Sequence, residues 1–185
     1  MRIEQLRKNY EIEVCWIAFP LHPETPEEGL TLEELFAGKP IDIEKVLERF
    51  RQVADELGLP FGERKKTYNS HLAQELAKWA ESKGKGDPFH EAIFRAYFVN
   101  GINIGKVDEL VGLAKSIGLP EKEARSILEL RTFKEAVDSD WLRSHALGIT
   151  AVPTFLVDDR VIVGFPPYEL LEQFLKACRA KKHNH

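Results

Sequence analysis

The sequence predicts an α/β protein in which strand-forming segments near both ends flank a long run of helices. The first observation is residues 11–19, where strict alternation gives way to an apolar stretch of β-branched and aromatic residues. The second is a hairpin pattern over residues 152–164, with Asp158 and Asp159 as its turn. The third is the stretch between them, where apolar residues recur at helical spacing in one segment after another.

The two ends of the chain each carry a further amphipathic helix pattern. Ile3, Leu6 and Tyr10 recur at spacings of three and four, which indicates a helix that buries one stripe. No capping side chain precedes this helix, so its leading amides would have no side-chain partner. We therefore expect the chain to open inside a helix. The last helix is expected over residues 168–181, with Leu171 and Leu175 on its apolar side.

The middle of the chain is predicted to be helical throughout, after a loop rich in proline at residues 20–26. Asp42 precedes one apolar-periodic run, and Asp87 with Pro88 form the cap and first residue of another. The expected helices are 31–37, 42–57, 70–82, 88–99, 106–117, 121–130 and 132–147, the last closed by Gly148. We predict a discontinuous sheet domain from residues 1–26 and 131–185, and a helical insertion domain from residues 27–130.

Composition excludes several classes of protein. The chain has 185 residues, of which 43% are hydrophobic and 30% charged, and no apolar run is long enough to span a bilayer. A net charge of -4, with both signs interleaved, disfavours binding to nucleic acid. The first residues are basic but lack the apolar core and cleavage site of a secretory signal. We expect a cytoplasmic protein without a membrane partner.

Two cysteines, Cys15 and Cys178, lie far apart, and neither belongs to a Cys-x-x-Cys. This spacing favours neither a disulfide framework nor a zinc site, and it suggests a reducing compartment. Cys15 lies in the predicted strand and Cys178 on the apolar side of the last helix. Both are expected to be buried packing residues, so we assign neither a catalytic role.

Metal and phosphate chemistry find little support in the sequence. Four histidines lack the paired helical spacing and nearby carboxylates of a metal site, and are expected to be surface or capping residues: His22, His71, His90 and His145. His183 and His185 are expected to lie in an unstructured tail. Residues 101–105 contain two glycines without the context of a phosphate-binding loop. No metal and no bound cofactor are predicted.

The most informative motif is residues 148–155, which place Val152 and Pro153 ahead of a strand. Proline has no amide donor, so it is tolerated at the first position of a strand, and the bond before it adopts either the cis or the trans form. From the local sequence alone both forms remain open. A cis bond would expose the backbone of Val152, and an extended peptide or glutathione could then pair with it as an added strand.

Together with residues 19–23, 68–73 and 89–101, this motif resembles the DsbA-like group of proteins. The group includes polyketide-associated DsbA-like oxidoreductases, 2-hydroxychromene-2-carboxylate isomerases and kappa-class glutathione transferases. The resemblance covers nearly the whole chain. It implies a thioredoxin-like fold with a large all-helical insertion, from which the first β-strand and the start of the first helix are absent. It also implies a cis bond at Pro153 and insertion helices that help to wall a substrate cleft.

The resemblance implies thiol-disulfide oxidoreductase activity, with Val152, Pro153 and Asn69 as substrate-binding candidates. Asn69 is equally interpreted as the N-terminal cap of the next helix. The Cys-x-x-Cys of the family, expected at the start of the first helix, is missing from this sequence, so no catalytic residue is carried over. Two alternatives are a glutathione-dependent isomerase or transferase and a non-catalytic thioredoxin-like binding protein. The expected partner is a thiol- or disulfide-containing protein or small molecule, with glutathione as a candidate substrate or co-substrate.

The missing first strand would leave backbone groups unpaired on both neighbouring strands. Three explanations follow: the natural protein begins farther upstream, a partner subunit supplies a strand, or the remaining strands rearrange. We favour the first. The second predicts a homo-oligomer that completes the sheet.

Overall fold

The structure is a computed structural model that describes residues 2–183. The chain divides into two compact units, one from Met1–Leu21 with Asp140–His185 and one from His22–Ser139. We call them the terminal unit and the helical unit. The predicted domains likewise combine the two ends of the chain into one unit and the middle into another, but their boundaries differ by several residues at both places. The predicted boundaries stay a prediction. His185 lies outside the described residues.

The helices and strands follow the predicted order, with two exceptions described below. In chain order they are α1 (Arg2–Asn9), β1 (Leu30–Thr31), α2 (Leu32–Leu35), α3 (Ile43–Glu56), β2 (Lys66–Thr67), α4 (His71–Ser82), α5 (Gly86–Phe98), α6 (Val107–Ser116), α7 (Glu121–Glu129), α8 (Lys134–Ala146), β3 (Thr154–Val157), β4 (Arg160–Val163) and α9 (Tyr168–Ala177). Within residues 2–183, no helix is long and apolar enough to cross a membrane.

The terminal unit is built around a small apolar core. Its buried members are Leu6, Tyr10, Leu171 and Leu175, against which residues of both hairpin strands pack. These are the stripe residues that the sequence predicts for the first and last helices. The tyrosine hydroxyl also bonds to Glu172, at 3.1 Å. Burial of these stripes holds α1 and α9 against the hairpin.

The predicted hairpin is confirmed. β3 and β4 pair antiparallel, with Thr154 opposite Val163 and Val157 opposite Arg160. The two-residue turn between them places Asp158 at a φ of 54°, a left-handed conformation that aspartate tolerates better than most residues.

The strand predicted over residues 11–19 is wrong. Within the described residues, this segment has no ladder partner, and its nearest ladder contact is an isolated bridge between Tyr10 and Lys182. It is held instead by single bonds, including Glu11 N to Lys181 O at 2.8 Å and Ala18 N to the Asp140 carboxylate at 2.9 Å. An alternating pattern marks a potential strand, but a strand needs a neighbour for its backbone groups.

The helical unit has the larger core, in which the helices α4 to α7 meet. Its fully buried large side chains are Leu76, Trp79, Phe89, Leu110 and Leu128. The predicted helices are present here, with shifts at their ends. α2 is only four residues long, capped by a capping box between Thr31 and Glu34. α5 begins at Gly86, before the predicted cap, and the two-residue ladder of β1 with β2 is too short to leave a sequence pattern.

Gly62 marks a close approach between the segment before β2 and the end of α5. Its amide donates to the Phe98 carbonyl at 2.9 Å. A Cβ atom added there would lie 2.1 Å from the carbonyl oxygen of Val99. Only a residue without a side chain fits this position.

We expect Gly62→Ala to destabilise the protein by about 1–3 kcal/mol or more, because the clash is with backbone that cannot move aside. Gly112 is the matched control, since it lies inside α6 with nothing within 4 Å of an added Cβ. Gly112→Ala should stabilise the protein by up to about 1 kcal/mol through helix propensity. Urea unfolding measures both changes, and equal effects of the two variants would contradict this packing.

Candidate functional site

The loop that contains the proline candidate lies in the terminal unit, between α8 and β3. The peptide bond between Val152 and Pro153 is cis, as the family resemblance implies. Gly148, at a φ of 66°, ends α8, and the Ile149 amide reaches back to the Ser144 carbonyl at 3.0 Å. These contacts turn the chain out of the helix just before the loop.

Two hydrogen bonds fix the far side of this loop. The Pro153 carbonyl accepts from the Gly164 amide at 2.8 Å, and the Thr154 hydroxyl donates to the Ala151 carbonyl at 2.6 Å. The backbone of Val152 is left outside this network, because it has no hydrogen-bond partner among residues 2–183. The residue is 44% exposed. An amide and a carbonyl in this state can pair with the backbone of a ligand.

Asn69 lies in the helical unit, and its side chain is used by the protein itself. Its amide group donates to the carbonyls of Pro23 at 3.0 Å and Thr25 at 2.9 Å, while Oδ1 accepts from the His71 amide at 2.9 Å. The N-cap residue of α4 is Ser70, so Asn69 lies one position before the cap and its side chain binds the amide of the first helical residue. A role of Asn69 in substrate binding stays a prediction, and such a contact would have only the second lone pair of Oδ1 available.

Asn103, which precedes α6, also uses both ends of its side-chain amide. Its side-chain nitrogen donates to the Glu27 carbonyl at 2.8 Å, and its oxygen accepts from the Gly105 amide at 2.9 Å. Asn69 and Asn103 thus hold the loop of residues 22–28 by its carbonyl groups. We call these two side chains the asparagine clamps.

A cleft of about 210 Å³ opens beside the asparagine clamps, wholly within the helical unit. It is lined by Glu27, Asn69, His71, Leu72, Gly105 and Arg131. Of these, sequence reasoning selected only Asn69.

Behind the cleft lies a carboxylate without any exposure to solvent, that of Glu75. The Arg131 guanidinium meets it with Nε 3.0 Å and 3.1 Å from its two oxygens. The hydrogen bond to Glu75 raises the pKa of Arg131, and the charges of Glu75 and Asp138 add to this effect, although burial opposes it. A buried charge persists only when it is paired and hydrogen-bonded, and Arg131 meets both conditions.

The position of Arg131 in the chain is unusual for arginine. It follows the Leu130 cap of α7 at a φ of 54°, where glycine is the common residue. The Arg131 amide bonds to the Leu128 carbonyl and the Thr132 amide to the Ile127 carbonyl. This helix ending directs the guanidinium back towards α4. The position therefore holds an arginine, which supplies the charge that Glu75 needs, although glycine adopts this backbone conformation more easily.

His71 completes the group. Its Nε2 lies 3.4 Å from a carboxylate oxygen of Glu75 and 3.4 Å from one of Asp138. Burial lowers the pKa of His71, and Arg131 adds to this effect, although both carboxylates oppose it. The imidazole is therefore neutral at neutral pH. Among residues 2–183, no group of three or more potential ligands is placed to hold a metal ion.

The expectation that Cys15 is buried is wrong. The side chain is exposed, because residues 11–19 form no strand and their alternation has no sheet face to pack against. Cys178 is half-buried at the C-terminal end of α9. Both thiols are free.

We expect Arg131→Met to destabilise the protein by about 3 kcal/mol, because it leaves Glu75 charged and buried without a partner. We use the lower part of the usual range, since the Arg131 side chain is 40% exposed. Arg125→Met is the control, as its ion pair with Asp108 is exposed and contributes at most about 1 kcal/mol. The measurement is urea unfolding near neutral pH. Similar losses of unfolding free energy in the two variants would show that the Glu75–Arg131 pair contributes no more than an exposed ion pair.

A thiol reagent such as 5,5′-dithiobis(2-nitrobenzoate) should modify the native protein in two phases. Cys15 should react in the fast phase, because it is exposed, and Cys178 in the slow phase. Cys15→Ser should remove the fast phase and Cys178→Ser the slow one. A single phase that includes both thiols would contradict the burial described here.

Comparison with known proteins places this geometry in a family. The chain is 30% identical over 184 residues to the uncharacterized protein YwbO of Bacillus subtilis (strain 168), an alignment that covers 97% of this chain and 88% of YwbO.

Two solved structures are similar to the fold. A crystal structure described as that of a probable DsbA oxidoreductase, SCO1869 from Streptomyces coelicolor, aligns with a TM-score of 0.84 at 23% identity, and covers 96% of this chain and 82% of that chain. The cytosolic disulfide reductase DsbM from Pseudomonas aeruginosa, with GSH, aligns with a TM-score of 0.54 at 20% identity, over 74% of this chain and 78% of that chain.

The described elements, the cis-proline loop and these likenesses agree on a thioredoxin-like fold with a helical insertion. The family model of the DSBA-like thioredoxin domain matches residues 1–176, so this chain belongs to the DsbA-like thioredoxin family.

Proposed function

We propose that this protein is a thiol-disulfide oxidoreductase of the DsbA-like family, and that its Val152–Pro153 loop binds the extended backbone of the substrate. The observation that carries the proposal is at Val152, before β3: the residue is exposed, and its backbone has no hydrogen-bond partner among residues 2–183. Family membership supplies the class of reaction.

Backbone pairing suits a protein that acts on many sequences. Two main-chain hydrogen bonds to one residue orient an extended chain without reading its side chains. The Gly164 and Ala151 bonds on either side fix the loop before a ligand arrives. A fixed loop loses little conformational entropy on binding, so more of the hydrogen-bond energy appears as affinity.

The redox step itself is assigned to no residue of this chain. Transfer between thiols and disulfides needs a thiolate, and rapid release of a mixed disulfide needs a second thiol close by. Cys15 and Cys178 are separate in sequence, and neither belongs to a Cys-x-x-Cys. In this proposal the chain binds and orients the substrate, and the dithiol is not among its 185 residues.

Glutathione is the small thiol that we propose as a ligand, as substrate or co-substrate. The likeness to DsbM solved with GSH supports this choice. We also propose a cytoplasmic location, which two free cysteines and the cytosolic DsbM support.

Two variants of one residue test the loop. Val152→Ala shortens the side chain and keeps the amide, whereas Val152→Pro removes the amide donor. We expect glutathione to bind the wild-type chain, Val152→Ala to bind within about twofold, and Val152→Pro to bind about tenfold more weakly, as loss of one hydrogen bond predicts. Titration calorimetry measures the affinities, and circular dichroism melts confirm that each variant is folded.

Equal weakening by both variants would mean that the side chain, not the backbone, forms the contact. No binding of glutathione, and none of an extended cysteine-containing peptide, to the wild-type chain would overturn the proposed function.

A further inference from the structure

The cleft of the helical unit is lined by two residues of opposite charge, Glu27 and Arg131. Each of them keeps a hydrogen-bonding group that no other residue among 2–183 uses. A cavity that offers one unused donor group and one unused acceptor group can bind a molecule that carries the complementary pair.

A series of close contacts connects the two residues along the wall of the cleft. A Cβ atom added at Gly105 would lie 3.7 Å from the carbonyl oxygen of Glu27 and 3.3 Å from that of Asn69. The Asn69 side chain accepts from the His71 amide at 2.9 Å, and the His71 Nδ1 lies 3.5 Å from Nη2 of Arg131. Because Gly105 has no side chain, the space beside this wall stays open.

Arg131 has donors left after it has paired with Glu75. Its Nε and Nη2 face the Glu75 carboxylate and the His71 ring. A guanidinium has five N–H groups, and the two on Nη1 make no hydrogen bond with residues 2–183. The side chain is 40% exposed, so a ligand in the cleft can reach it.

A carboxylate can approach these donors without strong repulsion from the protein. The two acidic side chains nearest to Arg131 are Glu75, which Arg131 itself pairs with, and Asp138, which pairs with Lys134. His71 is the first residue of α4, so the positive end of that helix lies on the same side of the cleft.

Glu27 supplies the opposite charge. Its carbonyl group is held by Asn103 at 2.8 Å, which fixes its backbone at the edge of the cleft. The side chain is exposed, and its carboxylate pairs with no cation among residues 2–183. The next residue, Glu28, does pair, with Lys106 at 3.3 Å. The free carboxylate of this loop is therefore the one beside the cleft.

We propose that this cleft binds a small zwitterionic molecule of the α-amino acid class, with its carboxylate on Nη1 of Arg131 and its ammonium on Glu27. The volume of about 210 Å³ suits such a ligand, because drug-sized molecules occupy pockets of about 300–1,000 Å³. Leu72 gives the cleft an apolar wall for the side chain of the ligand. The proposal involves neither the Val152 loop nor a thiol, and it is independent of the proposed function.

The experiment is an NMR titration of the isotopically labelled full chain with three matched probes at constant ionic strength. The probes are L-leucine, N-acetyl-L-leucine, which lacks the ammonium, and 3-methylbutylamine, which lacks the carboxylate. We expect saturable shifts of the Leu72 and Gly105 amides with L-leucine, with a dissociation constant on the order of millimolar. Each of the other two probes should bind about tenfold more weakly, because it loses one charge-assisted hydrogen bond.

Two variants assign the two ends of the ligand. Glu27→Gln should weaken L-leucine about tenfold and leave N-acetyl-L-leucine unchanged, since only the ammonium contact is lost. Arg131→Lys keeps a positive charge opposite Glu75 but removes the planar donor group, and it should weaken both compounds. Glu24→Gln is the matched control, because Glu24 is exposed in the same loop, lies outside the cleft and changes the net charge equally. It should bind as the wild type does.

The proposal is overturned if neither L-leucine nor L-serine, which carries a polar side chain, gives shifts that saturate. Equal effects of Glu27→Gln and Glu24→Gln on L-leucine would also overturn it, since they would indicate a general charge effect. If Arg131→Lys fails to fold, Glu27→Gln decides the matter, because its exposed side chain keeps its size. Wild-type affinity for L-leucine in Glu27→Gln would then exclude the proposed contact.

Discussion

The helical unit depends on a single electrostatic constraint, the burial of the Glu75 carboxylate. A charge with no exposure to solvent must have a partner of opposite sign, and Arg131 is that partner. The need for it explains why an arginine occupies a left-handed position at the end of α7, where glycine is easier. It also fixes the surroundings of His71, so one ion pair joins α4 to the segment between α7 and α8 and forms the floor of the cleft.

How much of the structure the sequence predicts depends on how far apart in the chain the interacting residues lie. The hairpin turn at Asp158 and the stripes of the first and last helices are local patterns, and the structure contains them. The local sequence allows either the cis or the trans form of the bond before Pro153. The resemblance to the family favours the cis form, and the structure has it. The ion pair joins residues 56 positions apart, and nothing local distinguishes Glu75 from other helical glutamates. Only the arginine after Leu130, where a glycine is common, hinted at a special role.

The two failures have a common physical cause. Residues 11–19 carry a strong strand pattern, but a strand exists only through its neighbour, and none pairs with this segment within the described chain. The exposure of Cys15 follows from the same fact. Asn69 was considered both as the cap of α4 and as a binding residue. Ser70 is the N-cap in the structure, and the Asn69 side chain bonds to the His71 amide and to the preceding loop.

The asparagine clamps have a consequence for the chemical ageing of the protein. Each clamp uses both ends of the asparagine amide, the nitrogen as a donor and the oxygen as an acceptor. The two carbonyl oxygens that face the Asn69 nitrogen can only accept hydrogen bonds, so they need an N–H group opposite them. Spontaneous loss of the amide nitrogen would create an aspartate at the same position, with a carboxylate against two carbonyl oxygens. The change at Asn69 would thus turn its attachment to Pro23 and Thr25 into repulsion, and only the Asn103 bond to Glu27 would remain of the two clamps. The durability of this cleft in an old protein molecule therefore rests on two amide groups staying intact.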